Sequence, residues 1–516
     1  MREISNPNIK LQDEPVNVQY KDDELENIQC NSDKQSQDKH YQMALDLVEP
    51  GDNLDNIFGK VEKVNKTLPP GITSEMLYKD VVRIAWPSFL EFILTQLASM
   101  VDMMMVGQLG SWAITAVGLT TQPKFLLMLM FMAMNVGATA LVARYKGEGN
   151  PEKANDVLRQ SLLLTFVLSA VASIIGYIFS EDFVRFMGAP DVKTLAEGTV
   201  YLKIQMIGFI VLALTSTLTA ALRGVGSTRI AMVYNLVANL VNVFFNYGLI
   251  NGYLGMPRLE VAGASIATVI GQCVAFIIAV FVIIRGKHYL KLGIRDNYKP
   301  NLEILKKIIN IGAPAMVEQL FMRVGVIIYS RTVASLGTVA FATHQICMNI
   351  QAMSFMNGQA FAVSATSLVG QSLGKKRPDM AQAYSRRTRR LGMVFSILLG
   401  LIFFFFGKQI VALYNNEADV IAQGAKILML VALIQPFQSS QFILAGALRG
   451  AGDTRAIAII IFITVLLVRP GLAIIAINLL GWGLEGAWIA LVADQLLRSA
   501  LVLHRFNSGK WKCIKV

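Results

Sequence analysis

Charge is scarce in this chain. Charged residues fill 16% of its 516 positions, against about a quarter in an ordinary soluble protein, too few to coat a globule of this length. Cysteine is scarcer still. Cys30, Cys273, Cys347 and Cys513 are scattered and form no CxxC, so neither a disulfide framework nor a thiolate metal site is expected. The histidines, His40, His288, His344 and His504, stand alone, with no HExxH and no nucleophile elbow, and the groups for hydrolytic chemistry are missing. The segment GQSLGKK (370–376) resembles a phosphate loop, but it has three residues between its glycines and follows an apolar helix instead of a strand. No enzyme, no ATP-driven machine and no cofactor is expected.

Long apolar runs are what the chain has. With 54% hydrophobic residues and a mean hydropathy of +0.50, it reads as an all-α integral membrane protein. Apolar spans fall near 82–108, 120–143, 158–180, 197–221, 230–251, 261–284, 308–335, 343–369, 387–407, 422–447, 455–478 and 484–505, each able to cross a bilayer, which takes roughly 20 residues. That makes twelve helices and no strands. The net charge of +12 lies between the spans on alternate sides, which positive-inside topology explains better than a nucleic-acid partner. Both termini are therefore expected on the cytoplasmic side of a plasma membrane. Residues 1–70 are polar and read as a disordered cytosolic tail, 71–284 as a first lobe, 285–300 as a basic cytoplasmic linker, 301–507 as a second lobe and 508–516 as a short cytosolic tail.

The strongest signal is an internal repeat. Ile84-Ala85-Trp86-Pro87 returns as Ile311-Gly312-Ala313-Pro314, Glu91 as Glu318, and Ala138-Thr139 as Ala365-Thr366, each 227 residues on; ALRGVGSTR (221–229) returns as ALRGAGDTR (447–455) at 226. Six helices per copy is an even number, so the copies enter the membrane in the same direction, related by an axis along its normal.

The first span, PSFLEFILTQLASMVDMMMVGQLG, places Glu91, Thr95, Ser99 and Asp102 on one helical face, and ionisable groups at such depth usually face a cavity or a partner. The fifth span places Asn235, Asn239, Asn242 and Asn246 on one face, while the second-copy counterparts, Ile461, Val465, Val468 and Leu472, are apolar. A duplicated scaffold that keeps its amides in one copy does not need them for packing alone. Asp102, with no neighbouring lysine or arginine on its own helix, either takes a proton or holds a cation, and Asn242, Asn246 and Thr268 would supply further oxygens.

Proline-led VDMMMVGQLG, the loops YKGEGNPEKA and SLGKKRPDMA and the paired ALRGxGxTR motifs together resemble the multidrug and toxic compound extrusion (MATE) transporters across all twelve spans. The resemblance implies two six-helix lobes working by alternating access, and a cation-coupled antiporter (Na+ or H+) exporting amphiphilic organic compounds; a flippase for a lipid-linked or polar lipid is the alternative, and a monomer is expected. It points to the same cation site, Asp102, Asn242, Asn246 and Thr268, although the family often has aspartate where this chain has Asn246. The second copy departs further, with Met322 and Gln438 where one branch of the family has acids, so no second cation site is expected. Glu91, Asn239, Glu318 and Arg323 are candidates for gating or accessory roles, Arg323 being expected to pair with an acid of its own half, the alternative being that it faces the cavity and favours anionic or zwitterionic cargo. Gln435, Gln438 and Ser440, beside Pro436, are candidates for the substrate cavity.

Overall fold

The computed structural model describes residues 72–514 apart from 254, 287–288, 294–295, 297 and 416; the tail read over 1–70 lies outside the described residues. Among the described residues there is no strand. The described residues hold twelve long helices: α1 Ser74–Gly107, α2 Ser111–Gly147, α3 Pro151–Ile178, α4 Val192–Gly224, α5 Thr228–Asn251, α6 Glu260–Ile284, α7 Leu302–Ala334, α8 Thr338–Gly374, α9 Pro378–Ala412, α10 Ala418–Gly450, α11 Thr454–Leu479 and α12 Gly483–Asn507. A short helix, Ser180–Phe186, precedes α4. Eleven of the twelve are long and apolar enough to cross a membrane. The exception, α8, is as long, but it carries His344, Gln351, Ser354, Asn357 and Ser364 on faces buried in the bundle.

Local chemistry sets the ends of the helices. Asn150 accepts the Lys153 N–H at 3.0 Å ahead of α3, and Asn301 accepts the Glu303 N–H at 3.0 Å ahead of α7, satisfying donors that the first turn leaves open. Gly226 (φ +79°) and Gly452 (φ +89°) are repeat partners that turn α4 into α5 and α10 into α11 in the left-handed region, where a side chain would be strained.

Helices α1–α6 form one lobe and α7–α12 the other, and the lobes meet by symmetric contacts. A Cβ on Gly147 of α2 would fall 2.1 Å from the Gln371 carbonyl oxygen of α8, and one on its repeat partner Gly374 would fall 2.0 Å from that of Arg144. Only glycine allows the two helix ends to cross this closely. Because each contact is the other's repeat image, a pseudo-twofold axis passes between α2 and α8, as an isologous interface requires. Ser364 donates to the Val81 carbonyl at 3.0 Å, and Ser367 and Gln371 each reach the Gly224 carbonyl at 3.0 Å, so the lobes are sealed at this end. The same end carries Lys146, Lys375 and Lys376.

The segment between the lobes lies against the first one. Leu290 is fully buried, Asn155 accepts the Lys291 N–H at 2.8 Å, and Asp296 meets Arg159 at 2.8 Å. The Gly293 N–H and then Arg159 hold the Asp296 carboxyl below the usual carboxylate range. The C-terminal residues also fold back: Trp511 is buried, stacks on Phe506 at 5.0 Å and donates to its carbonyl at 2.8 Å.

The second lobe departs from its partner in α11, which is π-helical over Phe462–Val468 and Ile475–Leu479. Each wide turn absorbs an extra residue and rotates the helix beyond it.

Candidate functional site

Helices α1 and α5 run in the same direction, side by side, and are joined by rungs. Asn235 Nδ2 donates to Glu91 Oε1 at 2.7 Å, Asn239 Nδ2 to Thr95 Oγ1 at 3.3 Å and Asn246 Nδ2 to Asp102 Oδ1 at 2.6 Å, each pair 144 residues apart. The constant separation shows two parallel helices in register. Their polar faces line a cavity of about 710 Å³, bounded by α1, α2, α4, α5 and α6 and by Gln359, Thr366 and Arg449 of the second lobe. Glu91, Thr95, Ser99, Asp102, Asn235, Asn239, Asn242 and Thr268 all contribute to the wall, as do the apolar Phe92, Met128, Met132 and Leu212. Such a volume fits a drug-sized molecule.

Asp102 is held by amides. With the Asn242 amide turned so that its donors and acceptors are matched, its nitrogen donates to Oδ1 and Oδ2 of Asp102 at 2.9 and 3.0 Å, and its oxygen accepts the Thr268 N–H at 3.1 Å. Among the described residues no lysine or arginine forms an ion pair with Asp102. The four expected residues therefore come together, but in a different role from the one their oxygens suggested: both amides present N–H groups to the carboxylate, and the Asn242 oxygen is already used. The oxygens left for a cation are those of Asp102, Thr268 Oγ1 and the buried, unpartnered Asn246 Oδ1. Uptake of a cation thus needs the amides to turn.

Glu91 and Glu318 are paired acids. Arg223 meets Glu91 at 2.8 Å, and Arg449 meets Glu318, each arginine belonging to the ALRG motif of the same lobe. The acids are 5% and 1% exposed, so the pairs tie α1 to α4 and α7 to α10 inside the protein. Arg223 and Arg449 also reach the cavity wall.

Two expectations are corrected. Arg323 pairs with no acid among the described residues; its guanidinium lies 3.5 Å from the ring centroid of Phe125 on α2, across the lobe boundary. The buried acids of its half are already taken: Glu318 by Arg449, Asp453 by Arg505, and Asp494 by Arg469 with Arg498. Gln435, Gln438 and Ser440 do not line the cavity. They are 1%, 2% and 4% exposed and lie within the second lobe, where Ser354 of α8 donates to Gln435 Oε1 and neither amide atom of Gln438 has a partner.

Sequence reading missed two buried charge sites. Lys124 of α2 donates to Gln205 Oε1 at 2.5 Å, and Gln205 reaches Ser265 at 3.1 Å. In the second lobe Arg469 and Arg498 converge on Asp494. The signal was present as four charges inside three apolar spans, Lys124 in one and Arg469, Asp494 and Arg498 in the last two; which of the last three meet depends on the register of α11.

The family model described as MatE matches this chain twice, over residues 87–248 and 314–475, once in each lobe. A probable multidrug resistance protein NorM of Thermotoga maritima is 28% identical over 435 residues, spanning 84% of this chain and 93% of that protein. The multidrug resistance protein MdtK of Yersinia pestis is 25% identical over 434 residues, spanning 83% and 95%. An uncharacterised transporter of Bacillus subtilis, YisQ, is 26% identical over 430 residues, spanning 83% and 94%. A solved structure of MATE in the bent conformation superimposes with a TM-score of 0.77 over 86% of this chain and 99% of the other at 20% identity, a likeness of fold.

Proposed function

The chain belongs to the MatE family of multidrug and toxic compound extrusion transporters, and from that footing we propose that it is a secondary antiporter that exports amphiphilic organic compounds in exchange for sodium ions or protons. The observation that carries this reading is Asp102: a half-buried carboxylate on the wall of a cavity, in the last two turns of a membrane-spanning helix, with amides around it and no basic partner among the described residues. A partly buried acid without a counter-charge favours a proton or a small cation, and in a membrane helix it marks an ion pathway. The wall's mixture of methionine, phenylalanine and leucine with two acids, of which Glu91 is already paired with Arg223, suits cargo that is apolar and adaptable in shape.

Loading and release of the ion at Asp102 biases the two states of the cavity. One charge crossing 100 mV contributes about 2.3 kcal/mol, enough to concentrate cargo. The basic end, where α2 and α8 cross, faces the cytoplasm by the positive-inside rule, both termini lie on that side of the plasma membrane, and the sealed lobes describe an outward-facing state. The cavity is complete within one chain, in keeping with a monomer. The lipid-flippase alternative has no observation of its own in its favour.

The experiment is transport by purified protein in liposomes with sodium and pH gradients imposed separately. One of the two gradients is expected to drive uptake of an amphiphilic dye and to stop doing so when collapsed by ionophore. Equal uptake with and without either gradient would contradict antiport.

A further inference from the structure

The second lobe holds a charge cluster for which antiport at Asp102 has no use. Arg469 donates to Asp494 Oδ2 through Nε at 2.9 Å and through Nη2 at 2.6 Å, and Arg498 donates to the same oxygen. The three side chains are 5%, 0% and 3% exposed. Two guanidiniums on one carboxylate leave an uncompensated positive charge, because Glu318, which also faces Arg498, is already paired with Arg449. Asp494 Oδ1 has no partner.

The repeat says where this cluster sits. Tyr329 follows Glu318 by the same interval as Asp102 follows Glu91, and Asp494 follows the first glycine of GAWIA by the same interval as Gly271 follows that of GASIA. Arg469 lies one residue further from Thr454 than Asn242 lies from Thr228, and the π-helical turn over Phe462–Val468 takes up that residue. Contacts agree with this alignment. In the first lobe Asn242 bonds Asp102, and a Cβ on Gly271 would lie 3.1 Å from the Asn242 Cβ. In the second lobe Arg469 lies 5.8 Å from the Tyr329 ring centroid and bonds Asp494. Tyr329, Arg469 and Asp494 therefore stand where Asp102, Asn242 and Gly271 stand in the first.

We propose that Arg469 is a tethered cation: its guanidinium permanently fills the second lobe's counterpart of the Asp102 site, so only the first lobe loads and releases an ion, one per cycle. The proposal rests on the reading of Asp102 as the coupling site. It accounts for the odd charge count. The extra positive charge stands in the place of an ion, held by a carboxylate with a spare oxygen. Removing Arg469 leaves Asp494 and Arg498 as a neutral pair beside an open space, which a small cation would restore to the original charge.

The test uses the full-length chain, with Arg469→Ala as the main variant and Arg469→Lys as the charge-keeping control. In detergent, methylguanidinium is expected to raise the unfolding temperature of Arg469→Ala saturably, and to leave wild type and Arg469→Lys unchanged. In liposomes without a membrane potential, steady-state accumulation of a neutral substrate is expected to follow the first power of the imposed cation gradient in wild type and the second power in Arg469→Ala, a change that a purely structural arginine would not produce. First-power dependence in Arg469→Ala, or no methylguanidinium effect on it, overturns the proposal. If Arg469→Ala is recovered folded only in methylguanidinium, that recovery supports the site; if it is not recovered even then while Arg469→Lys folds, the proposal fails. A wild-type protein indifferent to cation gradients would instead remove the antiport reading, and the methylguanidinium measurement would still report on the second lobe alone.

Discussion

Two copies of one six-helix scaffold place their buried charges in opposite ways. In the first lobe Asp102 faces a cavity and is held by two neutral amides. In the second lobe Asp494 is fully buried and locked between Arg469 and Arg498. Neutral donors can turn and let a cation displace them, whereas guanidiniums tethered to buried helices stay on their carboxylate. The contrast teaches that duplication supplied the frame, and that a few substitutions and π-helical turns in α11 decided which copy is free to respond.

That contrast can be broken at several points. Asp494→Ala strands two guanidiniums in the second-lobe core and is expected to cost about 3–5 kcal/mol, seen as loss of folded protein or a lower unfolding temperature in detergent. Arg449→Gln and Arg223→Gln test the matched acid pairs. Stranding Glu318 is expected to cost about 2–4 kcal/mol, and Arg223→Gln about 1 kcal/mol less, because Glu91 keeps the Asn235 hydrogen bond. Equal losses in the two variants would show that the amide contributes nothing.

Asn246→Asp sharpens the first-lobe side by setting a second carboxylate beside Asp102. Two acids in hydrogen-bond contact do not both ionise without a cation between them, so the half-saturating cation concentration for transport is expected to fall about tenfold, near 1.4 kcal/mol. Asp296→Asn, in the segment between the lobes, has the smallest expected effect. The folded-state value for Asp296 is held below the ordinary carboxylate value, so its ionised form stabilises the fold above that ordinary value, and the contribution fades as pH falls through the lower, folded one. The variant is expected to unfold at a slightly lower temperature at neutral pH and to converge with wild type in acid.

Much of the fold was legible in the residues alone. Eleven of the twelve spans follow from hydropathy, since a bilayer demands long apolar helices, and α8 follows from the repeat; the 227-residue register of Pro87 with Pro314 and Glu91 with Glu318 announces that the repeat is parallel. The faces of α1 and α5 were readable too, because polar residues at steps of three and four can share only one side of a helix. Partner choice was not readable. Gln435 and Gln438 sit on a polar stretch beside Pro436, as residues of a cavity wall would, yet α10 turns that face towards α8. Arg323 took an aromatic face because nearby acids were occupied. Arg469 needed the extra residue of a π-helical turn to reach Asp494, and hydropathy runs through such a turn without a mark. The orientation of the Asn242 and Asn246 amides, donating to Asp102 instead of offering oxygens, lies beyond what residue types convey.

The most direct measurement is net accumulation of an amphiphilic substrate by liposomes containing Asp102→Asn protein under the gradient that drives wild type. The account predicts that the variant still folds and equilibrates substrate but no longer concentrates it, a loss of at least about tenfold, or 1.4 kcal/mol, in the attainable gradient. Concentrative transport at the wild-type level would contradict it.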